Sequence, residues 1–170
     1  MFDFVLSFFG ILFFMPILII VSLLVKLSSI GPVFYRQLRV GKNNIDFRIF
    51  KFRTMRVDSD KLGLLTIGGR DPRITRTGYY LRKYKLDELP QLINVFIGEM
   101  SFVGPRPEVR KYVDLYSLDQ MAVFSVKPGI TDLASIEFRN ENEILSTKYD
   151  PNQYYIDVIM PEKIKINIRY

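Results

Sequence analysis

Two adjacent acids are the first residues whose types could do chemistry. Asp87 and Glu88 occur in Tyr84-Lys85-Leu86-Asp87-Glu88-Leu89-Pro90-Gln91-Leu92. One reading is architectural: Asp is a preferred helix N-cap, acids suit the first helical turn, and Pro90 is tolerated there. The other is chemical, because Arg82, Lys83 and Lys85 stand just upstream and Arg106 follows. A carboxylate at a helix start beside cations stays ionised, and can attack phosphorus or hold a metal. Arg106 sits in Val103-Gly104-Pro105-Arg106-Pro107. Both proline rings fix their own φ, and Pro107 biases Arg106 towards extended geometry. The segment is either a stiff surface turn or a guanidinium pre-oriented to clamp a phosphate. Lys51-Phe52-Arg53-Thr54-Met55-Arg56 interleaves cations with apolar residues and, by itself, reads as an edge strand. Asp71-Pro72-Arg73-Ile74-Thr75 is a turn signature. No Gly-x-x-x-x-Gly-Lys loop is present, and Gly68-Gly69 is too sparse for a phosphate cradle.

Composition narrows the chemistry. The chain has 170 residues and a net charge of +6, from 24 Lys+Arg against 18 Asp+Glu. It contains neither His nor Cys. That excludes a Ser-His-Asp or Cys-His nucleophile, an imidazole base, disulfides, and zinc or iron–sulfur centres. Carboxylates, hydroxyls, Lys, Arg and a hard, oxygen-loving metal are left. Hydrophobic residues make up 48% and charged residues 25%, enough to build a core.

The elements that must position these residues begin with a run of apolar residues. Phe4 to Val25 carries no charge and is bracketed by Asp3 and Lys26. As a straight helix it would reach roughly 33 Å, about one hydrocarbon thickness. No basic stretch precedes it and no small-x-small site follows, so a secretory signal fits poorly. Pro16, near the middle, removes a backbone hydrogen bond and predicts a kink. From Lys26 to Arg56 eight Lys and Arg residues face one acid, Asp46, which reads as a cytoplasmic flank. Beyond the break at Ser28–Pro32, Val33–Arg39 and Ile45–Phe52 predict a hairpin around Gly41–Asn44. Asp58–Asp71 reads as a loop, Thr77–Lys85 and Glu88–Phe96 as helices, the second ended by Gly98. Glu108–Phe124 reads as an amphipathic helix whose Tyr112, Leu115, Tyr116, Leu118 and Phe124 face either a core or a lipid headgroup layer. Further helix is expected near Ile156 and Ile164.

Several motifs now line up in order: Lys51-Phe52-Arg53-Thr54-Met55, Asp71-Pro72-Arg73-Ile74-Thr75, Leu86 to Leu92, Asn94-Val95, Gly98-Glu99-Met100-Ser101 and Val103 to Pro107. With Phe2-Asp3 and Gly31-Pro32-Val33-Phe34, they resemble the small monotopic phosphoglycosyl transferases, bacterial sugar transferases that start glycans on a polyprenyl lipid. The resemblance covers most of residues 2–131. It implies an α+β, mostly helical fold with a kinked re-entrant membrane helix over 1–27. A cytoplasmic, membrane-associated catalytic domain over 28–170 would carry the hairpin and interfacial amphipathic helices. It implies transfer of a sugar 1-phosphate from a UDP-sugar to undecaprenyl phosphate, with Mg²⁺ and release of UMP. The catalytic dyad falls on Asp87 and Glu88, with Asp87 as nucleophile and metal ligand. Lys51, Arg53, Arg82 and Arg106 would bind phosphate or substrate, and Pro16 would mark the membrane break.

The implied setting is the bacterial inner membrane, with the catalytic domain on the cytoplasmic face, the lipid bilayer as partner and no nucleic acid. A homo-oligomer is left open. The chain differs from the family at Met15-Pro16, where members have Ser-Pro, and at Asp132-Leu133-Ala134-Ser135, where many have Gly, a hydrophobic residue, Ala and Gln. Members usually begin with basic residues and continue beyond the position of Tyr170, which implies a trimmed or partial sequence. Two other readings are a membrane-tethered nucleic-acid-binding module, resting on the basic patch interleaved with Phe34, Tyr35, Phe47, Phe50 and Phe52, and a non-catalytic scaffold with the family fold.

Overall fold

The computed structural model describes residues 2–59, 63, 65 and 71–169. Part of the expected Asp58–Asp71 loop, and Gly68-Gly69 within it, lie outside the described residues. The chain divides into two compact units. The first comprises the described residues of Met1–Gln37, Arg48–Leu64 and Arg70–Gly98; the second those of Leu38–Phe47, Leu65–Gly69 and Glu99–Tyr170. Among the described residues the fold is mostly helical, with two small two-stranded sheets.

In the first unit, helix α1 (Phe2–Ser28) runs without interruption through Pro16. It is long and apolar enough to cross a membrane, at about 40 Å. One stripe is covered: Phe4 stacks on Phe96 with ring centroids 4.8 Å apart, and Gly10 lies against Leu92. Val21 and Val25 join Phe52 and Leu81 in a buried cluster. The remaining faces of α1, including Phe2, Phe13 and Leu27, are exposed.

Strands β1 (Phe34–Val40) and β2 (Asp46–Phe52) form the expected hairpin, turned by a short 3-10 segment at Lys42–Asn44. Helix α2 (Arg76–Lys83) starts where Thr75 caps it, its hydroxyl accepting from Gly78 N at 2.9 Å. Gly78 packs directly on the chain after β2: a Cβ there would lie 2.0 Å from Thr54 O. Thr75 N also donates to Thr54 O at 2.9 Å, so the start of α2 is tied to the chain just after β2.

The expected helix over Glu88–Phe96 is corrected. Leu86–Glu88 forms one 3-10 turn, and helix α3 spans Gln91–Phe96. Pro90 has no N–H to give to a continuous α-helix and instead stands at the start of α3. Gly98, in the left-handed region at φ 85°, ends the element as its sequence suggested.

In the second unit, β3 (Ser101–Val103) pairs in parallel with β4 (Gly129–Thr131), Ser101 opposite Gly129 and Val103 opposite Thr131. This sheet has no signature in the sequence, because three-residue strands show no usable alternation. Gly104 and Gly129 permit it: a Cβ on Gly129 would meet Gly104 N at 2.2 Å.

The single helix expected over Glu108–Phe124 is also corrected. Helix α4 covers only Arg110–Val113, and a 3-10 segment follows at Gln120–Ser125. The restart has a local cause, a reciprocal capping box. Ser117 N donates to Gln120 Oε1 at 2.9 Å, and Gln120 N donates to Ser117 Oγ at 3.3 Å. Of the apolar residues assigned to that face, Tyr112 and Phe124 are buried, and Tyr116 packs with them. Leu115 and Leu118 are exposed. Short helices α5 (Leu133–Glu137) and α6 (Glu141–Ser146) lead to α7 (Pro151–Tyr154). That helix continues through a π-turn at Tyr155–Ile159 into α8 (Met160–Ile168). Leu145, Tyr155, Ile159 and Ile164 form the core there.

Candidate active site

Asp87 is not a helix cap. The residue before its turn, Lys85, takes a left-handed conformation (φ 56°, ψ 20°), a costly choice for a side chain with a Cβ. That reversal carries the chain from the end of α2 into the 3-10 turn and leaves Asp87 buried, 8% exposed. Its Oδ1 has no hydrogen-bond partner among the described residues. Burial pushes its carboxyl above the usual carboxylate range. Lys51, Arg82 and Lys85 oppose that shift and Glu88 adds to it.

The neighbours assemble from three elements of the first unit. Lys51, near the end of β2, donates from Nζ to Glu88 Oε1 at 2.8 Å, and both side chains are mostly buried. Arg82, in the last turn of α2, is buried enough for desolvation to lower its pKa, while the charges of Asp87 and Asp71 oppose this. A deeply desolvated guanidinium keeps its charge, since its ordinary pKa exceeds 12. Asp71 and Arg73 close the loop before α2. Arg73 Nε donates to Asp71 Oδ1 at 2.9 Å and Nη2 to Oδ2 at 2.6 Å, while Nη1 reaches Ser59 O and Gly63 O. The Asp71-Pro72-Arg73 signature is thus a loop fastener, as its turn chemistry suggested.

Lys51, Arg82, Asp87 and Glu88 are therefore gathered in one unit. Arg53 has a different task there. Its guanidinium, buried at 6% exposure, donates to Ser29 O at 2.6 Å, Ile30 O at 3.1 Å and Val25 O at 3.4 Å, closing the C-terminal end of α1. Pro16 lies within α1.

Arg106 belongs to the second unit. Its N–H donates to Asp132 Oδ2 at 2.9 Å, and Gly129 N donates to Pro105 O at 3.0 Å. Asp132 also caps α5 by accepting from Ser135 N at 2.5 Å, and accepts from Asn167 Nδ2 at 2.9 Å. Burial raises its pKa, but the hydrogen bonds from Ser135, Arg106 and Asn167 outweigh it, so its carboxyl lies below the usual range. Downstream, Glu108 accepts from Arg39 Nη1 at 3.3 Å and from the Tyr155 hydroxyl. The Pro-Arg-Pro segment is thus fixed at Arg106 by Asp132 and at Pro107 by Arg39, whose Nη1 also donates to Pro107 O at 3.0 Å.

Three residues escaped the sequence reading. Asp132 stands in the sequence as a departure from the family pattern, although Asp directly before an apolar stretch is a helix N-cap signal. Asn94 belongs to the Asn94-Val95 motif, and its sequence context assigns it no task. Gln91 is 1% exposed, with Nε2 unpartnered among the described residues, one turn beyond Asp87. A buried amide in an otherwise apolar helix is the signal that marks both Asn94 and Gln91.

A profile of the bacterial sugar transferase family matches residues 1–168. A UDP-N-acetylgalactosamine-undecaprenyl-phosphate N-acetylgalactosaminephosphotransferase of Aeromonas hydrophila is 40% identical over 148 residues, covering 84% of this chain and 35% of the relative. A UDP-glucose:undecaprenyl-phosphate glucose-1-phosphate transferase of Xanthomonas campestris pv. campestris is 42% identical over 159 residues, covering 91% of this chain and 33% of the relative. A protein of the same name from Escherichia coli (strain K12) is 37% identical over 171 aligned positions, covering 98% and 37%. The chain spans about a third of the length of these curated relatives. With its motifs in family order and the match running almost from end to end, this chain belongs to the bacterial sugar transferase family.

Proposed function

We propose that this chain transfers a sugar 1-phosphate from a UDP-sugar to undecaprenyl phosphate. The observation that carries this reading is the buried Asp87 with an unpartnered oxygen, beside Lys51, Arg82 and Glu88. Asp87 attacks the phosphorus that bears the sugar; the phosphorus–oxygen bond to UMP breaks and UMP leaves. A polyprenyl phosphate oxygen then attacks the same phosphorus, and the Asp87 carboxylate departs, giving the lipid diphosphate sugar. Lys51 and Arg82 offset charge on the transferring phosphoryl group. Glu88 holds Lys51 in place through its 2.8 Å pair.

The donor set fits a Mg²⁺ ion held largely by substrate. Among the described residues no three acids cluster into a metal cage, whereas Asp87 retains one free oxygen. Mg²⁺ favours one or two carboxylates together with substrate phosphates and water. When bound there, the ion would neutralise diphosphate charge, with Asp87 as its protein ligand.

The primary test is UMP release from a panel of UDP-sugars with Mg²⁺ and undecaprenyl phosphate. Release from one sugar is expected and names the donor. Silence across the panel, from folded protein in lipid, sinks the reading and favours the scaffold.

The reading extends to location: α1 enters the bacterial inner membrane as one continuous helix bent at Pro16, with Lys26 and the catalytic residues on the cytoplasmic face. Its exposed apolar faces and the basic flank support this. Because the chain has no native cysteine, Phe2→Cys can be labelled in intact cells by an impermeant maleimide. Protection is expected. Labelling from the periplasm would overturn the re-entrant topology without touching the chemistry.

A further inference from the structure

Asn94 is completely buried on α3. Its Nδ2 donates to Arg48 O at 2.9 Å, and its Oδ1 accepts from Phe50 N at 2.8 Å. Arg48 and Phe50 are alternate residues of β2, so these two backbone groups face the same edge of the strand. In a parallel ladder, one residue of a neighbouring strand gives its N–H to the carbonyl of one residue and takes the N–H two residues on. The Asn94 carboxamide makes that same pair of bonds from a single side chain. It closes this part of the β2 edge and attaches α3 to one register of β2.

The register matters because of where Lys51 stands. Ile49 is buried and Lys51 is two residues on, so both project from one face of β2. A slip of one residue would turn Lys51 to the other face. Glu88, which Lys51 contacts, precedes α3 by only Leu89 and Pro90. The segment from Glu88 to Asn94 is therefore fastened to β2 at both ends, by the ion pair at one and the carboxamide at the other.

We propose that Asn94 is a positioning residue: by pairing with the edge of β2 between Arg48 and Phe50, it holds Lys51 on Glu88 beside Asp87. The structural half stands alone, and the kinetic half rests on the transfer reaction proposed above.

The test therefore has two arms on the full chain in lipid. In Asn94→Ala, amide hydrogen exchange at Phe50 is expected to accelerate at least tenfold while Leu81 in α2 keeps its protection. Unchanged protection at Phe50 overturns the proposal whatever the enzyme does. The second arm is a double-mutant cycle on UMP release. Asn94→Ala should lower kcat about tenfold with a smaller change in KM, and should cost nothing further when added to Lys51→Met. A residue that merely stabilises the fold would give additive losses, and additive losses overturn the proposal. Asn94→Asp keeps the shape and the acceptor for Phe50 N but loses the donor to Arg48 O. It is expected to repeat the non-additive pattern, and it replaces Asn94→Ala if that variant fails to fold. Absence of turnover in the unsubstituted protein would count against the proposed reaction, and the exchange arm would still decide the role of Asn94.

Discussion

Asp87→Asn is expected to abolish UMP release, by at least about 10³-fold, and at the same time to raise the melting temperature. The first effect follows from removing the attacking oxygen, a loss that no neighbouring group replaces. The second follows from the site itself. Asp87 is buried, one of its oxygens has no partner, and burial together with Glu88 outweighs the fields of Lys51, Arg82 and Lys85. Its folded-state pKa is therefore raised, so the folded protein disfavours the ionised form. Stability associated with this group is full below the ordinary Asp pKa of 3.8 and is lost as pH rises through the folded value. A neutral isostere escapes that loss. The gain in melting temperature should be clear at pH 7.5 and shrink towards pH 4, measured by circular dichroism in the same detergent. Retained turnover would remove Asp87 as nucleophile. A lower melting temperature at pH 7.5 would show that its ionised form is on balance held favourably. Strain of this kind, kept at the cost of stability, is what a functional carboxylate predicts and a structural one does not.

Lys51→Met is expected to lower transfer by about 10²–10³-fold, the cost of removing one well-placed charge from a developing phosphoryl transition state. It should also move the acid limb of the pH–rate profile. Lys51 is the strongest of the charges that oppose the upward shift at Asp87, so its removal pushes the Asp87 pKa higher still. The pH at which activity is half-maximal on the acid side should rise accordingly. Lys51→Arg keeps the charge and should leave that limb near its original position, although a guanidinium will not reproduce the 2.8 Å bond to Glu88. An unmoved limb in Lys51→Met would mean that a group other than Asp87 governs the acid side. These two variants separate the nucleophile from its electrostatic surroundings, since one removes the reacting oxygen and the other only retunes it.

Much of the fold was legible because its signals are local. The charge-free run from Phe4 to Val25, the hairpin around Gly41–Asn44, and Gly98 after α3 all act through neighbours in sequence: the run forms one long helix, the hairpin forms, and Gly98 ends α3. The failures were of two kinds. At Ser117 and Gln120 a local capping signal competes with an apolar stripe and prevails. The capping box restarts the chain where periodicity suggested one helix, and Tyr112 and Phe124 reach the core from separate elements. At β3 and β4 there was no local signal to read. Ser101–Val103 finds Gly129–Thr131 only because Gly104 and Gly129 let two backbones approach.

The site divides in the same way. Absence of His and Cys, and the order of the motifs around Asp87, Glu88 and Arg106, are properties of the chain as written, and the motif order sufficed for the family. Whether Asp87 caps a helix or waits as a buried carboxylate with an unpartnered oxygen is not such a property. Both outcomes suit the same local residues. The decision came from Lys85 in its left-handed conformation, from α2 held against Thr54 through Gly78, and from β2 bringing Lys51 to Glu88. Likewise Asp132, a departure in the sequence, became the anchor of Arg106 only when α5 and Asn167 met it. Sequence alone determined which groups are available. Tertiary structure decided which of them are buried, paired or left unsatisfied, because desolvation and charge pairing depend on neighbours in space that lie dozens of residues apart along the chain.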